Sequence, residues 1–322
     1  MSREYGLIAD VGGTNIRLEL VSQLDGERSE LREYLCADFP TIVDAVQQFL
    51  RDNENPAVTH GCIAIASPAD TDLIAMTNHT WQFSITETQA QLGWKALHVI
   101  NDYTAIAMSL PHLGKKQKTQ IGGGESLPGA PMAVFGPGTG LGVAHLINVD
   151  GLWVALSGEG GHVDFAPNDE VDLHILRYLS VRHEHVSVEQ VLSGPGLVQI
   201  YQAIADLRGN AAPFNDPAEI TTAAVEQRCT ISFEAIEQFC RILGSFAGNL
   251  ALTLGTFGGV FIAGGIVPRF VDLLRQSEFR NRFEAKGRFK DYNARIPTFV
   301  ITEPQPGLAG AAAYLMQTLT GP

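Results

Sequence analysis

The chain has few cysteines, no surplus of positive charge and no long apolar run, and each shortage removes a class of function. Its four cysteines, Cys36, Cys62, Cys229 and Cys240, are scattered without a C-x-x-C pair, so reduced structural thiols are expected rather than bridges or a zinc cluster. A formal net charge of -13 would repel a phosphate backbone and offers no counterion release to drive nucleic-acid binding. The longest apolar stretch, Val260 to Val267, contains two glycines and stops at Pro268, far short of the roughly 20 residues a membrane-spanning helix needs. No basic segment followed by an apolar core opens the sequence, so a cytoplasmic location is expected. Familiar nucleotide loops are missing too. No G-x-x-x-x-G-K-[ST] run and no H-R-D loop occur, and the glycines at 138, 140 and 142 lack the dinucleotide-binding spacing and open a strand rather than a helix.

What is present is a chain of 322 residues, 45% hydrophobic, long enough to favour two compact domains over one core. Tyr5 to Val11 reads as a strand, Gly12 to Asn15 as a turn and Ile16 to Val21 as a second strand. A helical repeat over Thr41 to Leu50, a buried-strand run at Gly61 to Ala66, and a strand at Ala96 to Ile100 that runs into a helix from Tyr103 to about Leu110 complete a layered α/β pattern. Lys115 to Pro131 is polar and glycine-rich and reads as a linker or surface excursion. Strand, glycine turn and strand then recur at Met132 to Phe135, Gly136 to Gly142 and Val143 to Val149, which suggests two related halves. Apolar residues from Phe233 to Leu254 recur in steps of three and four, predicting a long helix with Ser232 as N-cap and Gly255 as stop. A strand at Gly259 to Ala263 and a last helix over about Leu308 to Leu319 close the chain.

Two glycine turns between strands, Asp10-Val11-Gly12-Gly13-Thr14-Asn15 and Gly136-Pro137-Gly138-Thr139-Gly140-Leu141-Gly142, suit close approach of backbone N–H groups to a polyphosphate. Either alone equally suits an ordinary hairpin. Asp10 adds weight, because a carboxylate at the end of an apolar strand is costly to bury unless paired or near a cation, and a Mg²⁺ held partly through water would supply one. Asn101-Asp102 ends a strand before a helix and reads first as a helix cap. Asp102 also suits a general base, since a hydroxyl becomes a useful nucleophile only when its proton has somewhere to go. Ser187-Val188-Glu189-Gln190 reads as a capping box. His183 and His185, flanking Glu184, read as a solvated helix face rather than a metal site.

Over nearly its whole length the sequence resembles bacterial glucokinases of the hexokinase, actin and heat-shock-chaperone ATPase superfamily. The segments that carry the likeness are IADVGGTNIRL, CIAIASP, MTNHTWQFS, VINDYTAIAMSLP, VFGPGTGLGVAHL, SGEGGHVDFAP, VLSGPGL, NLALTLGTFGGVFIAGGIVPRF and PGLAGAAAYL. The resemblance implies two ribonuclease-H-like, actin-like ATPase α/β domains around a central cleft. A small one would span residues 1–112, completed by a C-terminal helix at 303–322, and a large one residues 113–302. It implies ATP-dependent phosphorylation of glucose with Asp102 as base, glucose bound by Asn101, Asp102, Glu159, His162 and Glu189, and a homodimer. ATP would be held by Asp10, Gly12, Gly13, Thr14 and Asn15 of the first turn, Gly138, Thr139 and Gly140 of the second, and Gly264 and Gly265, with Mg²⁺ near Asp10. Asn78 and His79 would line the cleft or form a surface loop. A kinase for another hexose and a non-catalytic sugar sensor use the same fold.

Overall fold

A computed structural model describes residues 4–77 and 79–320, and Asn78 lies outside it. The chain divides into two units, one formed by residues 1–113, 148–157 and 303–322 and the other by 114–147 and 158–302.

In the first unit, β1 (Tyr5–Val11), β2 (Asn15–Ser22) and β3 (Arg28–Leu35) form an antiparallel run. Helix α1 (Ile42–Asp52) follows, started by a capping box in which Thr41 and Asp44 satisfy each other's backbone N–H. Strand β4 (Val58–Ile65) pairs parallel to β1, a short ribbon of β5 (Leu73–Ala75) and β6 (Gln82–Ser84) leads to α2 (Ile85–Leu92), and β7 (Ala96–Asn101) pairs parallel to β4 and runs into α3 (Asp102–Ser109). The sheet order is β3-β2-β1-β4-β7.

The second unit begins with β8 (Lys118–Gly122), a strand inside the segment that reads as a linker. Its sequence, KTQIG, has a single large apolar residue, and pairing with a later strand rather than its own pattern makes it a strand. Strands β9 (Met132–Pro137) and β10 (Leu141–Val149) follow, then β11 (Leu152–Gly158), which extends their sheet although residues 148–157 group with the first unit, and helices α4 (Glu170–Ser180), α5 (Gly194–Arg208), α6 (Pro217–Val225) and α7 (Thr230–Leu254). Strand β12 (Gly259–Ile262), helices α8 (Val271–Gln276), α9 (Phe279–Glu284) and α10 (Lys290–Ala294), and β13 (Thr298–Ile301) complete the unit. The order β11-β10-β9-β12-β13-β8 repeats that of the first sheet with one strand added at the edge. Helix α7 begins at Thr230 with Cys229 at its N-cap, so Ser232 is a buried helical residue and not the cap. Gly255 does end it, in the left-handed conformation.

The last helix, α11 (Pro306–Thr320), belongs to the first unit. Its Leu308, Ala311 and Leu315 are fully buried against Ile8, Cys62 and Ala105. Each such leucine stabilises the unit by about 1.5–3 kcal/mol. The approach to α3 is close: a Cβ built on Gly310 would lie 1.6 Å from the carbonyl oxygen of Ala105. Helix propensity favours alanine over glycine by about 1 kcal/mol, but a clash with backbone cannot be relieved by a rotamer change. Gly310→Ala is therefore expected to destabilise the protein by about 2 kcal/mol or more in denaturant unfolding. Gly158→Ala, whose Cβ meets nothing within 4 Å, should stay within about 0.5 kcal/mol of the parent. Equal stability of the two variants would contradict this packing.

Candidate active site

Parallel pairing sets Val11, Ile65 and Asn101 in one row across β1, β4 and β7, so the carboxyl ends of these strands share one edge of the first sheet. Asp10 sits one residue before that row and Asp102 one after it. Across the hairpin Asp10 faces Arg17. Burial pushes the Asp10 carboxyl up from the usual carboxylate range, and the Arg17 charge draws it partly back. The first turn of α11 closes over it, since a Cβ on Gly307 would lie 3.0 Å from its Cγ. A helix N-terminus favours an anion, and here glycine lets the carboxylate approach without crowding. The first glycine turn is closed by the Gly12 N–H donating to the Asn15 carbonyl at 2.9 Å and braced by the Cys36 N–H donating to the Thr14 carbonyl at 2.8 Å. Thr14 is exposed.

At the end of β7, capping and candidate chemistry are divided between neighbours. The Asn101 side-chain oxygen accepts from the Tyr103 N–H at 2.9 Å and the Thr104 N–H at 3.3 Å, so Asn101 is the N-cap of α3. Asp102 is the first helical residue, one oxygen accepting from Tyr103 N–H at 2.9 Å. Burial is the main cause that pushes its carboxyl up to about 6, with the nearby Asp10 adding to it and the Tyr103 N–H opposing. Asn101 Nδ2 also donates to the Ser67 carbonyl at 3.4 Å, and Ser67 Oγ accepts from Thr77 N–H at 3.0 Å, tying the loop of His79 to the strand end. His79 itself accepts from Trp81 N–H and packs edge-on against the indole.

The second unit assembles the other candidates. Gly138 N–H closes its turn on the Gly140 carbonyl at 2.8 Å. Gly264, at φ +84°, lies so close to β9 that a Cβ would be 2.3 Å from the Pro137 oxygen. The loop holding Glu159 and His162, both exposed, rests on this turn, because a Cβ on Gly161 would be 2.2 Å from the Leu141 oxygen. Glu189 Oε2 accepts from the Leu141 N–H at 2.7 Å. Residues 187–190 form no helix; α5 starts five residues after Glu189 with Ser193 as its cap, so the capping-box reading of Ser187 and Glu189 is corrected. His183 and His185 follow the end of α4 rather than lying on a helix face.

A cavity of about 910 Å³ opens beside the turn, lined by Gly138, Thr139 and Gly265 and also by Pro195, Asn215, Asp216 and Arg269. Its size suits a nucleoside-sized ligand. Gly140 and Gly264 are not on its wall. Asn215, Asp216 and Arg269 carry no local pattern that marks them, and His183, set aside as a solvated residue, lines the cavity and bonds Gln199 at 3.1 Å. Ser67 and Gly307 lie inside CIAIASP and PGLAG, so the resemblance offered a signal for both; nothing local marks Cys36.

A glucokinase family model matches residues 7–318. The chain is 52% identical over 316 residues to a glucokinase of Cronobacter sakazakii, covering 98% of each chain, and 51% identical over 315 residues to one of Yersinia enterocolitica, covering 98% of this chain and 97% of that one. The chain belongs to the glucokinase family. A crystal structure of glucokinase from an Antarctic psychrotroph superposes with a TM-score of 0.91 at 36% identity, covering 97% of this chain and 98% of that one. The mixed α/β fold is thus the glucokinase fold.

The raised pKa of Asp102 has a stability consequence. Its folded value of about 6 lies above the ordinary 3.8, so the folded state binds more protons between those values and stability falls as pH rises through the window. Asp102→Asn should therefore stabilise the protein on the order of 2 kcal/mol at pH 7–8, and the gain should vanish near pH 4. Urea unfolding at both pH values measures it, and a variant no more stable than the parent at pH 8 would contradict the burial of this charge.

Proposed function

We propose that this glucokinase-family protein transfers the γ-phosphoryl group of ATP to the 6-hydroxyl of glucose, with Asp102 as the base that takes the hydroxyl proton. The observation that carries the reading is the division of labour at the end of β7: Asn101 supplies the helix cap, and beside it stands a desolvated Asp102 carboxylate with a pKa of about 6, oriented through one oxygen by the Tyr103 N–H. Such a group is ionised at neutral pH yet more basic than an ordinary aspartate, which suits general-base work near pH 7. As the new phosphorus–oxygen bond forms, the hydroxyl proton passes to Asp102.

Glucose is held by Asn101, Asp102, Glu159, His162 and Glu189, whose carbonyl, carboxylate and imidazole groups match the paired hydroxyls of a sugar. ATP is held by Asp10, Gly12, Gly13, Thr14 and Asn15, by Gly138, Thr139 and Gly140, and by Gly264 and Gly265, where close backbone N–H groups cradle phosphates. Asp10 suits a water-mediated contact to Mg²⁺, because its burial is only partly offset by Arg17; bound with the nucleotide, the ion would neutralise phosphate charge. The repeated strand order supports reading the units as the two ribonuclease-H-like domains of an actin-like ATPase, with boundaries at 1–112 plus 303–322 and 113–302. We also infer a cytoplasmic homodimer, as the resemblance implies. Among the described residues no helix is long and apolar enough to cross a membrane.

Asp102→Ala should lower kcat by roughly 10²- to 10⁴-fold while glucose still binds. In the parent, kcat/KM should fall about tenfold per pH unit below about pH 6 and level off above it, the limb set by Asp102. Coupled ADP-release assays over pH, with a panel of hexoses as acceptors, read both. A nearly normal rate in Asp102→Ala, or an acid limb that persists in it, would overturn the role.

A further inference from the structure

We infer that Glu189 is a positioning residue for the second glycine turn, and that this one carboxylate couples sugar binding to nucleotide binding. The inference rests on the proposed function for the two ligands and adds how their sites communicate.

Its basis lies wholly within the second unit. Glu189 Oε2 accepts from the Leu141 N–H at 2.7 Å, and a Cβ on Gly140 would fall 2.6 Å from the same oxygen. The turn is therefore shaped around the carboxylate. Oε1 makes no hydrogen bond among the described residues, which leaves it for a sugar hydroxyl. The backbone of Glu189 is fixed on both sides, its N–H donating to the Gly161 carbonyl at 2.9 Å and its own carbonyl accepting from Ser193 Oγ at 2.8 Å. Gly161 belongs to the loop of Glu159 and His162, so the sugar-side groups and Glu189 are held together.

Five residues on, Gly194 N–H donates to the Gly138 carbonyl at 2.8 Å. Residues 189–194 thus clasp the turn at both ends, Leu141 through a side chain and Gly138 through backbone. The same segment opens α5, whose Pro195, Val198 and Gln199 line the cavity. Gln199 Nε2 in turn donates to the Gln190 carbonyl at 3.2 Å and to its side-chain oxygen at 2.9 Å. A hydroxyl that draws on Oε1 acts on a group already bonded to the nucleotide turn. A carboxylate-to-N–H bond is charge-assisted and stronger than a neutral one, so losing it is felt in the turn even with no sugar present. Coupling between two ligands is reciprocal: nucleotide must raise glucose affinity by the factor by which glucose raises nucleotide affinity.

Isothermal titration of the full chain with glucose and with the Mg²⁺ complex of a non-hydrolysable ATP analogue, each alone and each with the other present, tests this. Glu189→Ala should weaken analogue binding in the absence of sugar by roughly tenfold and bring the coupling factor toward one. Glu189→Gln keeps an oxygen acceptor for Leu141 N–H, so it should restore analogue affinity to within about threefold of the parent while glucose affinity stays reduced. Gly140→Ala, which displaces Oε2 without touching sugar, should weaken glucose binding. Analogue affinity unchanged in Glu189→Ala would overturn the inference and leave the proposed function standing; a parent protein that binds the analogue but no glucose would overturn both. Should Glu189→Ala fail to fold, Glu189→Gln decides: selective loss of glucose affinity supports the positioning role, and equal loss of both ligands refutes it.

Discussion

Two carboxylates removed from water at the carboxyl ends of β1 and β7 set the terms for the rest of the first unit. Keeping Asp10 and Asp102 ionised there costs free energy, since burial raises both pKa values and the Asp10 charge raises that of Asp102 further. The surroundings reduce that cost without abolishing it. Arg17 faces Asp10 across the hairpin, α11 presents its N-terminal turn to it through Gly307, and α3 begins at Asp102. The close packing of α11 on α3 at Gly310 therefore does more than bury leucines. It holds the starts of both helices beside the two acids. Stability is given up at the place where basicity is gained, as expected of a site arranged for chemistry rather than for rigidity alone.

The second unit solves a different problem with the same strand order. Its glycine turn, the proposed phosphate cradle, has little side-chain bulk of its own and depends on neighbours for shape. Glu189 and Gly194 provide that shape from outside the turn, and the loop of Glu159 and His162 leans on it at Gly161. Glycine is required at Gly161 and Gly264 because a backbone carbonyl already occupies the space a Cβ would fill, whereas a Cβ at Gly140 would have to displace the Glu189 carboxylate.

Local features of this architecture were legible in the sequence, and long-range ones were not. Strands β1 and β9 and their glycine turns are short runs whose residues dictate their own conformation, and α7 announces itself by its apolar spacing. Its start is not legible, because Cys229 occupies the N-cap without a side-chain cap bond while Ser232 is the residue type that usually caps. Strand β8 is not legible in its own residues because pairing with β13 defines it. At Asn101 and Asp102 the residues allow either member to cap, and only the hydrogen bonds assign the cap to Asn101. Glu189 reads locally as a first-turn glutamate, while its partner Leu141 lies 48 positions away. The cavity wall is drawn from segments equally remote in sequence, which is why Asn215, Asp216 and Arg269 carried no signal.

The claim on which the account rests is that Asp102 meets the acceptor hydroxyl. A crystal structure of the protein with glucose and a non-hydrolysable ATP analogue measures that contact directly. The account predicts an Asp102 carboxylate oxygen within about 3 Å of the glucose O6, the distance a general base requires, and the triphosphate lying against the glycine turns. An O6 bonded to another side chain, with Asp102 turned away from the sugar, would contradict it.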